Sequence, residues 1–202
     1  MPSEVKRFST ESWEALEKEG FVLVELTSRS IKDIHDMATQ ELRVSWTDWE
    51  KGYLGIENLP PSRRSEVAVR PGNIFLPDSG GKNPLEMLKL ANEYDQELSQ
   101  RIIGIQVITG EAADYVDLTF VYFEKTGNHL FTEEFTSKWL NTERRDTLGT
   151  LTNTQVDFGF ITICCRRAHL TDGSYVHFMS FNHLFTGQAN LGCGIAPLVV
   201  PK

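Results

Sequence analysis

Apolar residues recur every three or four positions in the first half of the chain, which is the spacing of amphipathic helices. This pattern predicts helices at 9–19, 30–43 and 83–102. Ser9, Ser30 and Asn83 precede them as N-capping residues, and Pro84 takes the first position of the third helix. The third helix has the most regular apolar stripe, formed by Met87, Ala91, Tyr94, Leu98 and Ile102.

Short runs rich in β-branched and aromatic residues predict the strands. The predicted segments are 21–26, 66–69, 73–76, 105–108, 115–125, 155–169, 175–185 and 194–200. The segment 132–141 fits a helix or a strand, and we interpret it as a short helix. Helices crowd the first half and strands the second, which predicts an α+β fold with a mixed or antiparallel sheet. We expect a single domain over residues 1–202, with a possible sub-boundary near residue 104.

The second half is poor in charge. Between residues 147 and 201 the charged residues are Asp157, Arg166, Arg167 and Asp172. A two-residue turn at 172–173 would pair Phe160 with the residue at 185, and both faces of that hairpin are apolar near its base. A sheet with two apolar faces needs cover on both sides. We expect the 83–102 helix on one face and more sheet, or another subunit, on the other.

Composition limits the classes of function. Lys+Arg 20 against Asp+Glu 28 gives a net charge of −8, which argues against general binding of a phosphate backbone. The longest apolar run is too short to span a membrane, and no secretory signal is expected at the N-terminus. Three cysteines, an odd number, suit a reducing compartment. We expect the cytoplasm, or a virion assembled there.

A glycine-containing loop lies just before the third helix. Gly80, Gly81, Lys82 and Asn83 combine flexible backbone donors, a cation and a helix N-terminus, which together suit a phosphate or another small anion. The loop lacks the spacing of a Walker A motif. The alternative interpretation is a surface turn in which Asn83 simply caps the helix.

Cysteines, histidines and carboxylates offer weaker candidates. Cys164, His183 and Cys193 are conceivable zinc ligands, and Cys193 is a conceivable nucleophile with His177 or the residue at 183 as its base. No chelating spacing is present, so we expect neither a metal nor a cofactor. We interpret the pair Glu133 and Glu134 as a helix opening. We interpret the pair Asp114 and Asp117 as a solvated strand edge.

An aromatic segment with adjacent arginines is the last candidate. Trp46, Trp49 and Tyr53, followed by Arg63 and Arg64, suit stacking on a sugar, a base or a partner protein. The alternative is that these rings pack beneath a long loop.

These features favour a non-enzymatic structural or interaction protein that self-associates or binds a protein partner. The competing hypothesis is an enzyme or binding protein for a phosphorylated small molecule at the Gly80–Asn83 loop.

Overall fold

The computed structural model describes residues 6–37, 42–44, 55–131, 148–156, 159–169, 175–187 and 193–202. These ranges contain four α-helices: α1 (Thr10–Lys18), α2 (Ile31–Asp36), α3 (Pro84–Arg101) and α4 (Ala112–Thr126). Their strands are β1 (Val22–Glu25), β2 (Leu42–Val44), β3 (Glu66–Val69), β4 (Ile105–Ile108), β5 (Leu148–Val156), β6 (Gly159–His169), β7 (Tyr175–Phe185), β8 (Cys193–Gly194) and β9 (Leu198–Pro201). The predicted α+β class is confirmed. No helix within these ranges is long and apolar enough to cross a membrane.

The strands form two sheets. The first sheet has the order β1-β3-β9-β4, and its neighbouring strands are all antiparallel. The second sheet has the order β2-β7-β6-β5-β8, with parallel β2 and β8 added at the edges of an antiparallel centre. The predicted mixed or antiparallel character therefore holds for both sheets.

Helix α4 lies in the core between the two sheets. Ten consecutive residues of this helix, 112–121, are buried. The same apolar cluster contains Val67 and Val69 from the first sheet and Ile161 and Ile163 from the second. Because α4 is surrounded by protein, it carries apolar residues around most of its circumference instead of a single stripe.

Helix α3 covers the opposite faces of both sheets. Its C-terminal half packs through Leu98 on the first sheet, in a cluster that also holds Ala68 and Val199. Its N-terminal half packs through Met87 on the second sheet, beside Phe160 and other apolar side chains. Apolar side chains on both faces of the second sheet therefore pack against helices of the same chain, α3 on one face and α4 on the other.

The prediction of a strand at 115–125 is wrong, because this segment forms most of α4. Its valine, threonine and aromatic residues have strand propensity, but burial on all sides removes the polar face that identifies a helix. The cover expected from more sheet, or from another subunit, comes from this helix. Gly127, with φ 68°, ends it in a left-handed conformation.

Other boundaries also differ from the sequence prediction. Helix α2 ends at Asp36, and Leu42 and Arg43, predicted as helical, belong to β2. The predicted strand at 73–76 is replaced by a 3₁₀ turn over Pro71–Asn73 and irregular chain. The segment 155–169 divides between β5 and β6, and 194–200 between β8 and β9. The ambiguous segment 132–141 lies outside the described residues.

The hairpin of β6 and β7 has a register one residue away from the predicted one. Phe160 pairs with Leu184 instead of Phe185. A shift of one residue changes which positions share a face of the sheet. The turn itself, at 170–174, lies outside the described residues, and the assumed two-residue loop at 172–173 was the source of the error.

Two buried carboxylates on α4 hold neighbouring loops against the core. Asp117 accepts hydrogen bonds from the Thr27 N–H at 2.8 Å, the Thr27 hydroxyl at 2.6 Å and the Ser28 N–H at 2.9 Å. Asp114 accepts from the Ser62 hydroxyl at 2.6 Å and from Arg64 Nε at 3.2 Å. The interpretation of this pair as a solvated strand edge is therefore wrong.

We predict that Asp117→Ala lowers the free energy of unfolding by about 2–4 kcal/mol, because it removes the buried acceptor of three hydrogen bonds from Thr27 and Ser28. Urea unfolding measures this loss. Asp36→Ala is the matched control, since its exposed ion pair with Lys32 should contribute less than about 1 kcal/mol. Equal losses in the two variants would contradict the anchoring role.

The pH dependence of this effect has a defined sign. Burial raises the pKa of Asp117 above its ordinary value of 3.8, although the hydrogen bonds from Thr27 and Ser28 oppose the rise. The unfolded state therefore loses this proton first as the pH increases. Relative to Asp117→Asn, the wild-type protein should lose stability as the pH rises from 3.8 through the raised pKa.

Candidate functional site

The Gly80–Asn83 loop is fastened to the core and to the start of α3. The Ser79 hydroxyl donates to the Leu76 carbonyl at 2.7 Å and accepts from the Ile195 N–H at 3.2 Å. Asn83 caps α3 as predicted: its side chain accepts from the Glu86 N–H at 3.0 Å, and the Glu86 carboxylate accepts from the Asn83 N–H at 2.9 Å. An anion at this helix end would meet the negative charge of Glu86. Anion binding by Gly80, Gly81 and Lys82 stays a prediction.

The proposed stacking group is only partly described. Trp46, Trp49 and Tyr53 lie outside the described residues, while Arg63 is exposed. Arg64 is engaged by the buried carboxylate of Asp114, so its guanidinium already has an anionic partner.

Two of the cysteines lie on one face of the second sheet, on either side of a glycine. Gly149 pairs with Cys164 on β6 and with Cys193 on β8. Both thiols are buried, and burial raises the pKa of Cys193, with a further contribution from Cys164. A buried thiol with a raised pKa is a poor nucleophile.

In the backbone register, two positions of the proposed zinc set, Cys164 and His183, fall on opposite faces of the second sheet. The backbone of His183 pairs with Ile161, which belongs to the opposite face of the sheet from Cys164. Within the described ranges, no three His, Cys, Asp or Glu side chains gather as a metal site requires. The expected absence of a metal and a cofactor stays a prediction.

A cavity that the sequence analysis did not identify lies where α3 crosses from one sheet to the other. We call it the Arg70 cleft. It has a volume of about 240 Å³, and its lining includes Phe21, Arg70, Asn73, Pro77, Tyr94, Glu97 and Pro197. Tyr94 packs against both outer apolar clusters, so the cleft marks the junction between them.

The guanidinium of Arg70 is held in place at this cleft. Its Cζ atom lies 4.7 Å from the centroid of the Phe21 ring, in a cation–π contact. Its Nη2 donates to Glu19 Oε2 at 3.3 Å. Glu19 also forms an ion pair with Arg101. The Nη2 atom of Arg101 lies 3.6 Å from Glu97 Oε1, so Arg101 connects the two carboxylates.

Two polar atoms at the cleft are buried and have no hydrogen-bond partner in the described part of the chain. They are Arg70 Nε, a donor, and Asn73 Oδ1, an acceptor. The 3₁₀ turn of Pro71–Asn73 brings the two residues together, because the Asn73 N–H donates to the Arg70 carbonyl at 2.9 Å. Each unpaired buried group costs about 1–3 kcal/mol, so the pair requires a physical explanation.

Tyr94 supplies the phenol of the cleft. Burial raises its pKa above the ordinary value of 10.0, so the hydroxyl stays protonated at neutral pH. It therefore offers a neutral donor and acceptor beside the ring of Phe21 and the two prolines.

The sequence contained one signal for this cleft. In Arg70-Pro71-Gly72-Asn73 the proline stands at the second of four positions, where it favours a tight turn. In a 3₁₀ turn, residues three apart lie on the same side of the helix axis, which places Arg70 and Asn73 together. The strand predicted at 73–76 hid this pattern. Phe21, Tyr94 and Pro197 come from distant parts of the chain, and no local pattern connects them.

We predict that Gly149→Ala destabilises the protein by about 1–3 kcal/mol through overpacking. A Cβ atom at this position would lie 2.9 Å from Cys164 Sγ and 3.2 Å from the Ile163 carbonyl oxygen. Adding Cys164→Ala should recover part of the loss, and a double-mutant cycle from urea unfolding measures the coupling. Strictly additive effects would contradict the close approach.

We predict that Asn83→Ala costs about 0.5–2 kcal/mol of stability through loss of the helix cap, while Lys82→Ala has little effect. Because Glu86 occupies the helix end, inorganic phosphate should not raise the melting temperature of the wild-type protein. A phosphate-induced rise that Lys82→Ala abolishes would instead support the anion site.

Comparison with known proteins finds no match: no family model, no curated protein and no solved structure is similar to this chain.

Proposed function

We propose that this chain is a non-enzymatic interaction protein that binds its partner through the Arg70 cleft. The observation that carries this proposal is the unpaired donor and acceptor of Arg70 and Asn73 beside an apolar lining. Pockets that combine apolar walls with a few polar groups are the usual form of a binding site.

The chemistry of the cleft favours binding over catalysis. Its titratable lining residues are Arg70, Tyr94 and Glu97. Arg70 is paired with Glu19, while Glu97 lies beside Arg101. Tyr94 has its pKa raised, away from the neutral range that suits a general base. The thiols of Cys164 and Cys193 suit a reducing compartment such as the cytoplasm, or a virion assembled there.

Self-association is the alternative form of the same proposal. Its original support was the charge-poor second half, but α3 and α4 already cover the two faces of the second sheet. We therefore favour a different molecule as the partner. Light scattering on the purified chain should give the mass of a monomer, whereas a stable dimer would favour a second copy.

A phosphorylated ligand at the Gly80–Asn83 loop is the second candidate. Lys82 and the positive end of α3 support it, and the carboxylate of Glu86 in the first turn opposes it.

We predict that small uncharged organic fragments bind in the Arg70 cleft. Titration of the ¹⁵N-labelled protein with a fragment mixture should shift amide signals near Asn73, Leu76 and Tyr94. Lys89→Ala, an exposed change on α3, is the control and should leave the shifts unchanged. Fragments that perturb other regions only, or no region, would refute the proposed site.

A further inference from the structure

The size of the Arg70 cleft limits what it can hold. Its volume of about 240 Å³ lies below the roughly 300–1,000 Å³ of pockets that enclose a drug-sized ligand or cofactor. A space of this size accommodates one side chain together with a short piece of backbone. The dimensions therefore favour part of a larger molecule.

The charges around the cleft cancel. Arg70, Glu19, Arg101 and Glu97 form a chain of alternating sign, joined by three ion pairs. A carboxylate ligand would have to displace Glu19 from Arg70, and an ammonium ligand would compete with Arg101 for Glu97. An uncharged ligand competes with none of these charged partners, and it is the class that the cleft favours.

The unpaired atoms define the polar groups of that ligand. Arg70 Nε requires an acceptor and Asn73 Oδ1 requires a donor, and a peptide backbone carries both groups. Neither atom is exposed to solvent, so both side chains must turn toward the cleft on binding, and the Arg70 contacts with Phe21 and Glu19 must adjust. Arg70 and Asn73 are each partly exposed, which leaves room for that rotation.

We propose that the Arg70 cleft binds an extended, uncharged peptide segment of a partner protein. One backbone carbonyl accepts from Arg70 Nε, and a neighbouring N–H donates to Asn73 Oδ1. One apolar side chain enters the space between Phe21, Tyr94, Pro77 and Pro197. This inference rests on the proposed function, because it names the occupant of the same cleft.

A peptide-display selection on the full chain supplies the probe. A library of random twelve-residue peptides should yield binders with an apolar residue and no net charge. The best binder is then synthesised with capped ends and titrated by calorimetry. Replacing single backbone N–H groups by N-methyl groups should weaken binding about tenfold or more at one position, since one N–H donates to Asn73.

Variants of the chain test the two contacts separately. Asn73→Ala and Arg70→Lys should each weaken binding of the selected peptide about tenfold or more, because each removes the atom proposed to bond to the peptide backbone. Asn73→Asp keeps the acceptor and should retain binding, while Lys89→Ala is the surface control. Asn73→Ala should not lower the melting temperature, since its Oδ1 has no partner to lose.

The outcomes distinguish this inference from the proposed function. If fragments bind the cleft but no selected peptide depends on Arg70 and Asn73, the peptide is the wrong occupant and the binding site remains. The same conclusion would follow if carboxamide fragments bind in the cleft and no peptide does. If neither fragments nor peptides bind there, both proposals are overturned.

Discussion

The burial of α4 between two sheets is the constraint on which the rest of this structure depends. A helix buried over residues 112–121 must bury its carboxylates as well as its apolar side chains. Asp114 and Asp117 meet this requirement by accepting hydrogen bonds from the chain around Thr27 and Ser62. Because an unpartnered buried charge is costly, these bonds tie the irregular segments of the first half to the core.

This arrangement leaves each sheet with an outer face, and α3 covers both. Its eighteen residues extend about 27 Å, which is long enough to pass from the second sheet to the first. The two faces do not form one continuous surface, so the helix crosses a junction near Tyr94. The Arg70 cleft lies at this junction, and the fold thus places a cavity where the packing of two cores meets.

The sequence predicted the features that depend on neighbouring residues. Caps at Ser9, Ser30 and Asn83, and the helix that begins at Pro84, were all correct because a cap acts within three or four residues. The segment that forms α4 was mistaken for a strand because burial on all sides removes periodicity. The hairpin register was missed because it depends on a turn length that local residues did not determine.

The cleft could not be predicted because it combines four separate parts of the chain, and the energetics of its polar atoms depend on that combination. Arg70 is fixed by Phe21 and Glu19, which are distant in sequence, and these contacts orient the guanidinium without satisfying its Nε. Elsewhere, buried polar groups such as those of Ser79 and Tyr115 have partners. The fold leaves the Arg70 donor and the Asn73 acceptor unpaired at the cleft, and these two atoms therefore lower the stability of the unbound protein. Binding a partner that supplies both missing groups would remove this cost, which is the physical basis for our proposal that the cleft binds a partner.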